Sequence, residues 1–536
     1  MEHLEQRQKV IIMTAIMSAM LFAALNQTIV GTALPVIVAD IGGMSYFSWV
    51  FTIYMLTTSL TALLVGKLSD TYGRKPFILI GIGIFTIGSL LCGTSVNIIQ
   101  LILYRGLQGF GAGMIMSTSF AAIGDLFPPR ERGRWQGLLS SVFGLASVFG
   151  PTLGGYIVDH FDWHWVFWVF LPFGFVAFGM IMKLFPHIKG EGEKGVDFLG
   201  AITIALTIGP LLLAFSWAGN LFEWGSPVII GLFVWSAFAL GLFIFIEKRA
   251  KNAIIPLHLF KNSIFTISNV AGFMIGMGMF GAVMYMPFFL QGVMSVSATK
   301  TGFVMMFMTL SMVLTSTGGG QLVTKTGKYK IFALAGLLIM ACGMLSMAFM
   351  TMDSSVIRAV LSLMLVGLGL GLSFPIFTLT VQNAVDHRYL GVSTSSAQFF
   401  RQAGGTIGVS IMGAVMNVLM QRQMTNMSGD LPEGGLQAAG GIEKIGDPQV
   451  LMDQQKLAEL QQSLPAESLP MFNQLLQTMR EALSTALSGS FIFGTIILGI
   501  AFILTLFLKE IPLRLTNQSE SEITQDEQKK QIASSK

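Results

Sequence analysis

Long apolar runs recur from one end of the chain to the other, broken by short polar segments. A helix needs about 20 apolar residues to cross ~30 Å of hydrocarbon, and each run is of that order. The pattern predicts fourteen helices near 10–35, 45–66, 77–95, 101–125, 134–158, 165–185, 198–218, 228–246, 264–290, 301–320, 331–350, 355–380, 394–420 and 487–508. Spans seven and eight are separated only by "AGNLFEWGSP". The alternation of polar and apolar positions that a membrane β-barrel requires is absent from these runs. The expected class is an all-α polytopic membrane protein.

Composition agrees. Charged residues make up 11% of the 536 residues and hydrophobic residues 53%, whereas a soluble chain carries about 25% charged residues. The first run reads as a span and not a cleaved leader, because it is too long and lacks a small-residue cleavage site. The net charge of +4 says little, but its distribution gives a topology. Lys67, Arg74, Lys75, Arg130, Arg132, Arg134, Lys183, Lys189, Lys194, Lys248, Arg249, Lys251, Lys261, Lys325, Lys328, Lys330 and Arg388 fall on one side. Only Lys300 and Arg358 fall in the short loops of the other. Positive loops stay cytoplasmic, so both termini are expected inside a plasma membrane, of bacterial type. One outer segment, 421–486, is long. Its Gly-rich first part reads as flexible, and "LMDQQKLAELQQSLPAESLPMFNQLLQTMREAL" predicts one or two amphipathic helices on the outer face. The tail from 509 is polar and reads as disordered. Cys92 and Cys342 lie in separate apolar runs and read as packing residues, with no metal-ligand spacing around them.

Polar residues inside the apolar runs are the candidates for function, since each is costly in hydrocarbon. "LNQTIVGTALP" places Asn26 and Gln27 in the first span, and Arg105 and Gln108 lie in the fourth. An Arg at that depth needs a partner or water, and Asn26, Gln27 and Gln108 are its expected neighbours; the alternative is an Arg that snorkels to the outer interface. Asp70 and Arg74 stand four apart on the first inner loop, and Asp125 ends the fourth span. These charges form either a network that exists only while the inner side is closed, with Gly66 and Gly73 supplying a tight turn, or solvated topology signals. Gly144, Gly150, Pro151, Gly154 and Gly155 share one span, where small residues allow close helix approach and Pro bends the helix. In the ninth span Met277, Phe280 and Met284 belong to a Met- and Phe-rich stretch that reads either as an adaptable drug pocket or as ordinary packing.

Two inner loops echo each other, "GKLSDTYGRKP" and "GGQLVTKTGKYK", which suggests two homologous halves. The first resembles the loop signature of the major facilitator superfamily. "LYRGLQGFGAG" resembles its fourth-helix motif and "GLASVFGPTLGG" the fifth-helix motif of its antiporters; "DWHWVFWVFLPFG" and "QNAVDHRYLGVSTSSAQFFRQAGGTIGVS" are similar to stretches of the fourteen-helix drug:proton antiporter branch. The resemblance implies two six-helix bundles, 1–190 and 263–508, joined by two linking helices in 191–262, with a cytoplasmic tail at 509–536. It implies that Arg105 faces a central cavity and senses protonation of a first-helix acid. It also puts Tyr54 on the cavity wall.

In such antiporters Asp usually stands where this chain has Asn26. No acid lies mid-membrane. Asn cannot titrate, and its hydrogen bonds resemble those of a protonated Asp. The chain is therefore an altered, locked form, or couples through another group such as Asp125, His160 or Glu223, or is an uncoupled facilitator. The expected function is export of hydrophobic and amphipathic drugs in exchange for protons by alternating access. Alternatives are export of a lipid, metabolite or siderophore, or a sensor or scaffold without transport. Expected partners are the lipid bilayer, small amphipathic drugs and protons, with no nucleic acid, no metal and no cofactor beyond the proton gradient, in a monomeric non-enzyme. No G-x-S-x-G, H-E-x-x-H or P-loop element occurs.

Overall fold

The computed structural model describes residues 5–42, 47–186, 197–219, 222–250, 253, 255–296, 298–386, 389–428 and 469–512. Among these residues there is no β-strand, only an isolated bridge between Ala218 and Phe222. The first half contains α1 (Gln6–Ile41), α2 (Phe47–Tyr72), α3 (Arg74–Cys92), α4 (Ile98–Leu126), α5 (Pro129–His160), a short α6 (Trp165–Trp168) and α7 (Leu171–Leu184). Then come α8 (Phe198–Trp217) and α9 (Pro227–Glu247). The second half contains α10 (Ser263–Phe288), α11 (Ala298–Thr326), α12 (Lys330–Ala348), α13 (Val356–Asn383), α14 (Leu390–Ser428) and α15 (Leu469–Leu506). Twelve of the described helical segments are long and apolar enough to cross a membrane, α6 and α7 together making one. The protein is a multi-pass membrane protein. The two long helices outside that set are α4, diluted by Arg105, Gln108 and its glycines, and α8, whose apolar part is Leu199–Phe215.

Local chemistry sets the breaks. Gly73 has φ 91°, a left-handed conformation that glycine adopts without a Cβ clash, and it separates α2 from α3. Gly327 does the same between α11 and α12 with φ 71°, so the two echoing loops turn alike. The second lacks the Asp–Arg pair of the first. There Glu510 Oε1 accepts from the Tyr329 and Lys330 amides at 2.9 and 3.3 Å, and Tyr329 Oη accepts from the Ile511 amide at 2.8 Å. Asn97 caps α4 by accepting from the Gln100 amide at 3.0 Å. Pro129 and Pro227 open α5 and α9, where a missing N–H costs nothing.

Two hydrophobic cores result, one built from residues of α1 to α7 and one from α10 to α15. A smaller cluster ties Ile204, Ile208 and Leu212 of α8 and Phe243 of α9 to Leu63 of α2 and Ala403 of α14. The linking helices therefore pack across both halves. Within each half, seams of small residues bring backbones together: Gly111 lies against Gly81 and Phe85, and Gly369 against Gly336 and Met340.

Several expectations need revision. The last helix begins at Leu469, so the part of the amphipathic stretch from Leu469 on is continuous with the final span, while its earlier part lies outside the described residues. With α14 reaching Ser428, the expected outer segment 421–486 contracts at both ends. Its remainder, the tail beyond 512, and Lys189, Lys194, Lys251 and Arg388 lie outside the described residues. Span six carries a turn between α6 and α7 but remains one apolar segment, Trp165–Leu184. Cys92 is buried, but Cys342 is exposed on α12 and packs no core.

Candidate functional site

The chain reverses at each connection, so one face carries the start of α1 and the ends of α2, α4 and α13. On this N-terminal face Asp70 and Arg74 are both buried, in contact as an ion pair, and Arg74 Nε also donates to Asp125 Oδ2 at 3.0 Å. Arg74 Nη1 donates to Ser69 Oγ at 2.6 Å. The Asp70 carboxylate then crosses to the other half. Its Oδ1 accepts from the Gly391 amide at 2.8 Å and its Oδ2 from the Val392 amide at 3.0 Å. These amides open α14, where a helix terminus favours negative charge. Gly66 has ordinary helical backbone, and its role is space: a Cβ there would overlap Ser395. A Cβ at Gly391 would overlap Gly66, Arg74 and Asp70. Around this network the halves are stitched again. Gln136 Nε2 donates to Gln382 Oε1 at 2.7 Å, Gln382 Nε2 to the Phe120 carbonyl at 3.3 Å, and Ser316 Oγ to the Gly137 carbonyl at 3.2 Å.

Deeper in the first half lies a buried polar relay. Arg105 Nη1 donates to Gln108 Oε1 at 2.6 Å. Gln108 Nε2 donates to Asn26 Oδ1 at 2.9 Å and to Ser89 Oγ at 2.7 Å, and Asn26 Nδ2 donates to Ser89 Oγ at 3.1 Å. All four residues are fully buried. The Arg105 guanidinium lies 4.1 Å from the Tyr54 ring centroid, while its Nε and Nη2 have no hydrogen-bond partner among the described residues. Asn26 thus reaches Arg105 only through Gln108. Arg105 does not face the cavity described below, and neither does Tyr54: α2 turns Tyr54 toward α4 and gives Phe51, Thr52, Met55, Leu56 and Ser59 to the cavity. Ser89 was not anticipated; it follows Gly88 in an otherwise apolar run.

Thr28 Oγ1 donates to the Ala146 carbonyl of α5 at 2.9 Å, beside Gly150, whose missing side chain makes room for Thr28. Gly144 fits against Val313 of α11. Gly155 faces open space, so close packing is not its role. Gly154 is buried; α5 runs unbroken through Pro151, whose side chain lies outside the described residues. Of the other groups considered for coupling, His160 is stacked on Tyr156 at 4.4 Å and Glu223 is exposed. Nearby, a hydrogen bond from His164 holds the Asp162 carboxyl below its ordinary range.

Toward the opposite face lies a cavity of about 660 Å³. The two halves share it, and one side is closed by Leu212 of α8 with Ala218 and Gly219 just beyond its end. Trp217 of α8 meets Trp49 of α2 at 5.2 Å, and Ser410 of α14 donates to the Phe215 carbonyl. Phe280 and Met284 line the cavity; Met277 does not, because it packs on Gly408. Gln27 touches the edge, donating to Met55 Sδ at 3.6 Å, and Gln402 donates to the same sulfur at 3.2 Å. On α14, Gln402, Thr406, Ser410 and Asn417 form a polar stripe on the wall. Their helical spacing within an apolar span was a readable signal for this surface. There is no acid on α10, α13 or α14.

Substituting Gln108 by leucine is expected to lower Tm in detergent sharply. It strips Arg105 of its hydrogen bond, a loss on the order of 3 kcal/mol for a buried charge. Gln108→Glu, which offers a carboxylate instead, is expected to recover part of that loss. An unchanged Tm in Gln108→Leu would contradict the relay.

Comparisons with known proteins agree with this architecture. The family model of the Major Facilitator Superfamily matches residues 16–409. The chain is 38% identical to "Multidrug transporter protein MdtP" of Bacillus subtilis over 535 residues, covering 99% of this chain and 97% of that protein. It is 33% identical to "Multidrug resistance protein 3" of the same organism, covering 94% and 96%. Among solved structures, the human organic anion transporter MFSD10 (TETRAN) shares the fold with a TM-score of 0.59 at 14% identity, covering 91% of this chain and 99% of that one. The chain is a membrane transporter that belongs to the Major Facilitator Superfamily.

Proposed function

We propose that the protein exports hydrophobic and amphipathic drugs by alternating access. It does so through fourteen crossings, two six-helix bundles and two linking helices, with both termini in the cytoplasm. The observation that carries this reading is the asymmetry of the two faces. The halves are tied together by Asp70, Arg74, Asp125 and the start of α14 on one face, and they enclose an apolar cavity toward the other. With the N-terminus inside, this arrangement is the outward-facing state, and breaking the tie allows the inward-facing one. The full-length relatives named as multidrug transporters support the drug class. The cavity walls are apolar, with a few hydrogen-bonding groups on α14, which suits varied amphiphiles. Asn26 takes no part in proton binding, so export by this chain is exchange along the drug gradient unless another group carries the proton.

Efflux of preloaded lipophilic dye, down its own gradient, from proteoliposomes holding the chain tests the reading. Its rate is expected to rise severalfold over that of protein-free liposomes. Thr406→Trp, which fills the cavity without touching the closed face, is expected to abolish the rise at equal protein content. A rate equal to that of protein-free liposomes would contradict export of drugs.

A further inference from the structure

Arg401 on α14 is a second interior cation, outside both polar networks. Its guanidinium carbon lies 3.5 Å from the ring centroid of Phe374 on α13, and that ring meets Phe120 of α4 at 6.2 Å. The ion pairs among the described residues are those of Arg74 with Asp70 and Asp125 and of His164 with Asp162, so Arg401 has none. Among the described residues no hydrogen bond reaches its guanidinium either. Its side chain keeps partial exposure, unlike that of Arg105.

Its position in the fold is specific. Gln402 and Gly405, the next residue and the next turn of α14, line the cavity. One turn before, Gln398 Nε2 donates across the halves to the Met116 carbonyl of α4 at 3.4 Å. Helical side chains lean toward the N-terminal end of their helix, which here is the closed face. Arg401 therefore lies between the cavity and the seam that must part when that face opens. Phe120 and Met116 belong to the opposite half, so opening the seam removes part of its cover.

We propose that Arg401 is the anion-recognition residue of the translocation path, and that drug-sized amphiphiles bearing a single carboxylate are the substrates it favours. The inference rests on the export reading above and adds a charge preference to it. A guanidinium offers a carboxylate two parallel hydrogen bonds, and neither α10, α13 nor α14 supplies a competing acid. In the closed-face state the Phe374 ring holds the cation by a weaker cation–π contact. When the seam opens, a substrate carboxylate takes the guanidinium from the ring. When the seam closes, the ring takes it back and the substrate is released into the apolar cavity.

The test is equilibrium binding of a dansyl-labelled aromatic monocarboxylate and of its methyl ester to the purified full chain. The carboxylate is expected to bind at least tenfold more tightly than the ester. Arg401→Gln is expected to erase that difference while leaving ester binding unchanged, and Arg401→Lys to keep part of it. Phe374→Leu removes the competing ring, leaves the charge in place, and is expected to tighten carboxylate binding severalfold. Equal binding of acid and ester, or a preference for the acid that survives Arg401→Gln, would overturn the assignment of Arg401 while leaving export standing. Failure of both probes to bind would overturn it together with the export reading.

Discussion

Replacing Asp70 with asparagine is expected to cut drug export at least tenfold while the protein stays in the membrane at normal abundance. The carboxylate now does three things at once: it pairs with Arg74 and accepts from the amides of Gly391 and Val392. An asparagine amide group can accept at only one of its two ends. The other end is a donor and would face a donor, either Arg74 or a backbone N–H. Breaking a buried pair from one side costs about 3–5 kcal/mol, since the remaining charge loses its partner. That is a shift of about a hundredfold or more in the balance between closed and open forms of this face. Gly391→Ala is expected to give the same phenotype by a different route, because its Cβ would overlap Asp70 and Arg74. Labelling of a Met55→Cys variant by a membrane-impermeant maleimide reads the population directly. Outside labelling should fall when Asp70 is replaced, and wild-type export by Asp70→Asn would contradict the latch.

The second large effect is a gain. Asn26→Asp is expected to make export depend on a pH gradient. The side chain at 26 is buried in a relay that ends on Arg105, and among the described residues no acid belongs to that relay. In that variant a protonated carboxyl at position 26 would keep the present bonds to Gln108 and Ser89 in near-identical form. Loss of the proton would put a negative charge one glutamine away from a guanidinium with two nitrogens unpartnered among the described residues, and the relay would rearrange around it. The variant should export faster with the proton gradient directed inward than without it, while the unchanged chain responds little. Full gradient dependence in the unchanged chain would mean that the proton travels elsewhere, and Asp125 in the closed-face network is then the first residue to replace.

Much of this was legible in the sequence, for definite reasons. Helices are predicted well where hydrocarbon demands long apolar runs, and rare polar residues within them stand out against that background. Asn26, Arg105 and Gln108 were found that way, and they do meet. Asp70, Arg74 and Asp125 are grouped by spacing and meet in the structure, but the acceptance of α14 amides by Asp70 is invisible in sequence, because a backbone donor leaves no mark on residue identity. The cavity wall was read poorly. Tyr54 and Met277 differ from true wall residues such as Met55, Phe280 and Met284 only in helix rotation, and a helix apolar all round gives no rotational signal. The role of α8 as a wall was missed for the same reason. The polar stripe of Gln402, Thr406, Ser410 and Asn417 carried the missing information, since four polar residues on one side of a span define a face.

The central claim is that one cavity is presented alternately to the two sides of the membrane, and counterflow tests it without relying on protons. Proteoliposomes containing the unchanged chain are loaded with unlabelled lipophilic dye and diluted into labelled dye at equal pH. The account predicts transient accumulation of label inside, lost in Thr406→Trp and strongly slowed in Asp70→Asn. Absence of counterflow in the unchanged chain, or counterflow indifferent to both substitutions, would contradict it.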